Sequence, residues 1–262
     1  MEHTLELSAL VNSGEIAIIP IGFRCHTFSM LKDKLGIDQA RLPFDLGFFP
    51  PHAVASVLTR PKINLEFDDN GQSHAVCTMN ESNIDPKYGL GIKFNTSTYD
   101  EINKIVVDRN IENINMYLDS TFGYYTLDKF HKFVLAHYNW HRFSNKLARN
   151  WHSAADNTNY SLHSSPDKSK GIADPRENLQ ITNNILNNRI SRMVEVCNTA
   201  KHIVFVFENS QNYKYMQIDN EYFKLDDFST LNEVCNKQYG SKFSLINTSE
   251  VEDIVEFFKR FT

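Results

Sequence analysis

Two apolar runs constrain this chain more than anything else in it: IAIIPI at 16–21 and HIVFVFE at 202–208. Each is nearly unbroken by polar residues and rich in β-branched or aromatic side chains, a composition that suits a strand covered on both faces, as in a parallel sheet. Each is also joined to a helical pattern. After the first run, Phe28, Leu31 and Leu35 follow helical spacing from Cys25 onward, and Gly36 is a natural stop. Before the second, LQITNNILNNRISRMVEVCNTA (179–200) is amphipathic; KFSLINTS (242–249) reads as a weaker third strand and EVEDIVEFFKRFT (250–262) as a closing helix. Parallel neighbours require a crossover connection, so this alternation predicts βαβ units. The expected fold is a single α/β domain over 1–262, a Rossmann-like parallel sheet flanked by helices.

Between these landmarks the pattern changes. Residues 64–94 read as strand and turn, a small β-hairpin insertion with DDNG as its turn. LPFDLGFFPP is an apolar turn, HAVASVLTR a short helix, and 98–120 helical in spacing; 153–178, rich in Ser, Asp, Asn and Pro, reads as a long polar loop. Pro20 sits late in the first run and is expected to end that strand, since proline cannot donate to a ladder. A hydrophobic content of 41% and a net charge of −5 describe an ordinary globular protein, not one that coats nucleic acid. No window approaches the about 20 apolar residues of a membrane span. The start has no apolar stretch behind a basic segment, and the four cysteines are scattered, so free thiols and a cytoplasmic setting are expected.

The hand-over from first strand to first helix is GFRC. In a parallel sheet the binding crevice lies beyond the carboxyl ends of the strands. Gly22 would let a ligand approach the backbone, the helix start would favour an anion, and Arg24 would add a charge-assisted bond, so Gly22, Phe23 and Arg24 are the expected phosphate cradle. Neither the Rossmann glycine triplet nor the P-loop lysine is present. Cys25 would have its thiolate favoured by the same geometry, as an activated nucleophile does, and can equally be a small buried residue.

Further candidates lie along the chain. Between Asp128 and Asp156 there is no acidic residue, while Lys129, Lys132, Arg142, Lys146 and Arg149 interleave with Trp140, Phe143 and Trp151. Cations beside aromatic faces suit a nucleotide base or a sugar ring, and a solvated helix face is the plainer account. His137 and His141 are four apart, but no Glu follows His137, so no metal site is expected. Arg189 and Arg192, three apart on one helix face, could clamp a diphosphate or pair with Glu195 in solvent. Asp45, set among Phe44, Leu46 and Phe48, would be partly desolvated and so suited to act as a base; it could also cap its turn.

The stretch IPIGFRCHTFSMLKDKLGIDQARLPFDLGFF, with its Gly-x-x-Cys and its Pro-Phe-Asp turn, resembles the opening block of an uncharacterised family of papain-like cysteine peptidases. VLAHYNW resembles that family's later His-Asp-Phe element, with Tyr138 where Asp is usual, and NRISRMVEVCNTAKHIVFVFEN resembles its Arg-rich helix leading into a strand. The resemblance implies Cys25 as nucleophile and His137 as base, with Asn139 or Asp45 orienting. It also implies surface-polysaccharide biosynthesis, with which that family is associated, and the Gly-x-x-Cys start is similar to CoA-dependent capsule acetyltransferases.

The leading expectation is a glycan-modifying transferase, a metal-independent glycosyltransferase moving a sugar from a nucleotide-sugar donor to a glycan acceptor hydroxyl. No permanently bound cofactor is expected, only the nucleotide-sugar co-substrate. The alternative is a cysteine peptidase or acyltransferase built on Cys25 and His137.

Overall fold

The computed structural model describes residues 2–24, 26–45, 47–65, 74–80, 84–85, 87–97, 124–135, 175–251 and 253–262. In chain order the first elements are α1 (Glu2–Asn12), β1 (Ile16–Arg24), α2 (His26–Leu35), β2 (Gly47–Phe48) and α3 (Pro51–Thr59). Then come β3 (His74–Asn80), β4 (Ile84–Asp85), β5 (Gly89–Ser97), β6 (Tyr124–Asp128), β7 (Phe133–Leu135) and α4 (Pro175–Thr199). The remainder is β8 (His202–Glu208), β9 (Tyr215–Ile218), β10 (Glu221–Lys224), α5 (Ser229–Tyr239), β11 (Phe243–Asn247) and α6 (Ile254–Phe258). Contacts gather these into two units: Met1–Lys62, Asn187–Asn212 and Asp226–Thr262 form the first, Ile63–Leu186 and Tyr213–Leu225 the second.

The first unit is built on the two apolar runs. β1 and β8 pair in parallel from Ile16 opposite His202 to Gly22 opposite Glu208, and β11 adds in parallel on the other side of β8. Alternation along the strands then sorts the side chains. Ile16, Ile18, Val204, Val206 and Ile246 form one buried face with Leu7 of α1, Leu31 and Leu35 of α2, and Ile254 and Phe258 of α6. On the other face Phe205 meets Phe243 with ring centroids 5.7 Å apart, and Phe207 meets Phe228, at the start of α5, at 5.1 Å. Strands covered on both faces have no position for a polar residue, which is why these segments read as continuous apolar runs.

Pro20 does not end β1. The N–H groups of Lys201 and His202 donate to Glu15 O at 2.9 and 3.1 Å, so odd-numbered residues of β1 face β8 and even-numbered ones face the outer edge. There Ile18 O accepts from Gln39 Nε2 at 2.7 Å and Gly22 O from the Phe49 N–H at 3.1 Å. Pro20 occupies an outward position where its missing N–H costs the β8 ladder nothing. The strand therefore runs on to Arg24, and β2 pairs antiparallel with its last two residues, Phe48 opposite Phe23 and Gly47 opposite Arg24.

The expectation of a purely parallel sheet is corrected here. The fold is mixed α/β with a mixed sheet flanked by helices, and no closed barrel occurs among the described residues. In the second unit β3 pairs antiparallel with β5 and β6, β4 with β5, β6 with β7 and β9 with β10, and among the described residues only β5 and β9 run parallel. The links within β6–β7 and β9–β10 are too short for a crossover, so those strands can only return antiparallel. Gly91 of β5 makes the packing possible: a Cβ there would fall among the ring atoms of Tyr215, opposite it on β9. Tyr215 in turn stands 5.7 Å from Tyr88 and 5.3 Å from Tyr222.

The helix expected over 179–200 begins earlier, at Pro175, inside the stretch expected to be a loop. The β9–β10 hairpin and α5 were not legible as elements. The DDNG turn, the helical pattern over 98–120 and most of the polar loop lie outside the described residues. No helix among the described residues is long and apolar enough to cross a membrane.

Candidate functional site

The carboxyl end of β1 carries the strongest local constraint in the first unit. Gly22 has φ +120, a conformation that residues with a side chain rarely adopt, and a Cβ on it would lie 2.5 Å from Glu208 O and 3.3 Å from Glu208 N. Only glycine lets β1 lie this close to the end of β8 with that backbone twist. From here the chain enters α2, and Thr27 fastens the junction: its buried hydroxyl donates to Ile21 O at 2.8 Å. The first turn of α2 thus follows the carboxyl end of β1, and a helix start favours negative charge.

Four polar side chains gather at this rim. His26 Nδ1 lies 3.0 Å from Ser210 Oγ and 3.4 Å from Gln211 Nε2, and Ser210 Oγ donates to Gln211 Oε1 at 3.1 Å. With its proton on Nε2, His26 accepts at Nδ1 from Gln211 Nε2; with its proton on Nδ1, it donates to Ser210 Oγ. The fourth is Glu208, the last residue of β8. Strand alternation places it on the face of Val204 and Val206, the face covered by α2. Its Oε2 is buried and has no hydrogen-bond partner among the described residues.

The residues singled out by sequence divide by position. Gly22, Phe23 and Arg24 end β1 as neighbours, with Phe23 buried against Phe48 at 5.8 Å and Phe207 at 6.3 Å. Phe23 is therefore core, not cradle surface. Asp45 lies two residues before the Gly47 that pairs with Arg24, which brings it to the same end of the sheet. It is buried, its Oδ2 accepts from the Leu42 N–H at 2.9 Å, and Arg41 Nη1 lies 4.0 Å away. That geometry closes the 42–45 turn.

Arg189 and Arg192 do not face solvent as a clamp would. Arg189 is fully buried, and Arg192 donates from Nη1 to Arg41 O at 2.6 Å. Arg192 also lines a cavity of 240 Å³ together with Ile16, Ile18, Gln39, Leu42 and Val196. That cavity flanks the amino half of β1, where its lining residue Ile18 lies four residues from Gly22, or about 13 Å along a strand. Arg192 thus meets the cavity and the 41–45 turn. Cys25, His137 and Arg142 lie outside the described residues, as does the side chain of Arg24.

Cys197 and Cys235 are far from any such role. Cys197 of α4 and Cys235 of α5 are buried, and burial pushes both thiols up to about 12. Tyr239, hydrogen-bonded to Cys197, is raised as well, first by its own burial. Among the described residues no three His, Cys, Asp or Glu side chains converge as metal ligands.

His26, Glu208, Ser210 and Gln211 were missed as site residues. The available signal was the abrupt polar run ENSQN that ends an otherwise apolar strand; what pairs it with His26 is the β1–β8 register. No protein-family model matches the chain, and no curated protein or solved structure is significantly similar to it.

Proposed function

We propose that this protein is a glycan-modifying transferase, a metal-independent glycosyltransferase that takes a sugar from a nucleotide-sugar donor. One observation carries the reading: the backbone of Gly22, at φ +120 against Glu208, opens directly into α2 at the carboxyl rim of the parallel strands. In sheets of this kind that rim is where ligands lie, and a helix start beside a bare glycine suits a diphosphate. The leaving nucleotide needs its developing charge held in place, which oriented N–H groups and an arginine such as Arg24 provide without a metal. The acceptor is a glycan hydroxyl.

A thermal-shift series with UDP-sugars, GDP-sugars, free nucleotides and CoA tests this, because a ligand that binds only the folded chain raises Tm by mass action. Saturable stabilisation by UDP or GDP species is expected. Gly22→Val, if it folds, should lose the shift. Stabilisation by CoA alone would move the reading to acyl transfer.

A second reading has its own support. In the sequence Cys25 follows the last residue of β1 and precedes the first of α2, and a position between strand and helix is one that nucleophiles occupy in other enzymes. In that reading Cys25 is the nucleophile and His137 the base of a peptidase or acyltransferase. Selective alkylation of Cys25 by iodoacetamide near neutral pH would favour it; a Cys25→Ala protein that keeps nucleotide-sugar binding and turnover would sink it.

A further inference from the structure

Glu208 poses a problem that the fold alone does not solve. A buried carboxylate oxygen without a hydrogen bond is costly, and native proteins retain few such groups. Its neighbours do not relieve it: Gly22, opposite it in the register, has no side chain, and among the described residues Ser210 and Gln211, just beyond it, satisfy each other and His26. Oε2 is an acceptor only, so what completes it must donate. It stands at the carboxyl rim, on the face of the sheet that α2 covers.

Asp45 makes the contrast. It is the other carboxylate at this end of the sheet: its Oδ1 is buried as Glu208 Oε2 is, but its Oδ2 is taken up by the Leu42 N–H and lies 4.0 Å from Arg41, which ties the group to its turn. A carboxylate that closes a turn is committed to the fold by that hydrogen bond. Glu208 is tied to no turn in this way, and its Oε2 is the oxygen left for a ligand.

We propose that Glu208 is the catalytic base of the transferase, receiving the hydroxyl of the glycan acceptor at Oε2. The assignment rests on the nucleotide-sugar reading given above. In the step, the acceptor O–H donates to Oε2 and its proton passes to the carboxylate as the acceptor oxygen forms a bond to C1 of the donor sugar. The bond from C1 to the diphosphate oxygen breaks, and its electron pair leaves with the nucleoside diphosphate, which departs against the first turn of α2.

The test uses the full chain with UDP-glucose, UDP-galactose, UDP-N-acetylglucosamine and GDP-mannose as probes, and water as acceptor. Two quantities are read, release of UDP or GDP and the shift in Tm that each donor produces. For a donor that the wild type binds and cleaves, Glu208→Gln should cut release about 100-fold or more, the range of a lost general base. It should keep the Tm shift, because the isosteric amide leaves the donor's contacts in place; Glu208→Asp should retain part of the activity. Release by Glu208→Gln at the wild-type rate would overturn the base assignment and leave the transferase reading standing. So would donor binding without release by the wild type, since a base at the rim would activate the water in the acceptor position. No shift and no release with any donor would overturn the transferase reading and this inference with it.

Discussion

Gly22 and Gly91 are both closed to a side chain, one in each unit of the protein, and the neighbours that close them differ. At Gly22 the obstacle is backbone, the carbonyl and amide of Glu208, and the residue is also held at positive φ. At Gly91 the obstacle is the ring of Tyr215, a buried side chain in a cluster with Tyr88 and Tyr222, and φ is ordinary. A glycine pressed by a ring serves packing: it makes room for an aromatic residue that fills the sheet surface. A glycine pressed by backbone, at the end of two parallel strands and next to polar side chains, shapes a rim. The first kind predicts stability effects alone, the second predicts effects on stability and on ligand.

The largest expected effect breaks or confirms this distinction. Gly22→Ala must both adopt a disfavoured φ and push a Cβ into the Glu208 carbonyl, neither of which side-chain motion relieves, so a loss of at least about 3 kcal/mol is expected. Urea midpoints measure it, and a loss below 1 kcal/mol would show that the rim is looser than the geometry states. Gly91→Ala should cost less, about 2 kcal/mol, the usual penalty of overpacking. Tyr215→Leu in the same chain should recover part of that loss. Donor-induced Tm shifts should survive in Gly91→Ala and disappear in Gly22→Ala at temperatures where both remain folded. Equal loss of ligand response in both would remove the distinction.

The same contrast explains what the sequence disclosed. β1, β8 and β11 were legible because burial on both faces leaves nothing but apolar residues, and that signal is local. Pro20 misled because its position relative to the ladder depends on which edge of β1 it faces, and only the pairing with β8 decides that. β9 and β10 are four residues each, YMQI and EYFK, too short to show alternation against a polar background. The candidate site was half legible. Gly22 announced itself by its place between a strand and a helix, and Asp45 by its apolar surroundings, which proved compatible with a turn-closing role. His26 and Glu208 stand 182 positions apart in the chain, and no spacing rule could join them. Arg189 and Arg192 share a helix face as expected, but whether that face meets solvent or core is settled by packing, not by the helix period.

A smaller effect is expected at the junction of β1 and α2. Thr27→Val keeps the side chain's shape and removes the buried bond to Ile21 O, for a loss of about 1 kcal/mol. If the rim is held as firmly as Gly22 implies, the loss should appear as faster amide exchange at the first turn of α2 as well as in the midpoint. Exchange that is unchanged there would mean that strand pairing with β2, not the hydroxyl, fixes the junction.

The smallest effect lies in the second unit and depends on pH. Asp128 ends β6, is buried, and caps the turn into β7: its Oδ1 accepts from the His131 N–H at 2.5 Å. Burial raises its carboxyl above the ordinary range, against the lowering influence of that bond, of His131 and of Lys132. A carboxyl that holds its proton more tightly folded than unfolded adds stability that is fully present below the unfolded value and is lost as pH rises through the folded one. Asp128→Asn keeps the acceptor oxygen and cannot ionise. Its stability relative to the wild type should therefore improve from pH 4 toward pH 7, read as the difference in urea midpoints. Because Asp128 serves a turn and not the rim, donor-induced Tm shifts should be the same in the two proteins. A difference in midpoints that does not change with pH would mean that hydrogen bonding from the turn outweighs burial at Asp128. A changed ligand response would mean that the polar groups of the second unit serve binding too, and that the contrast between the two glycines has been drawn too sharply.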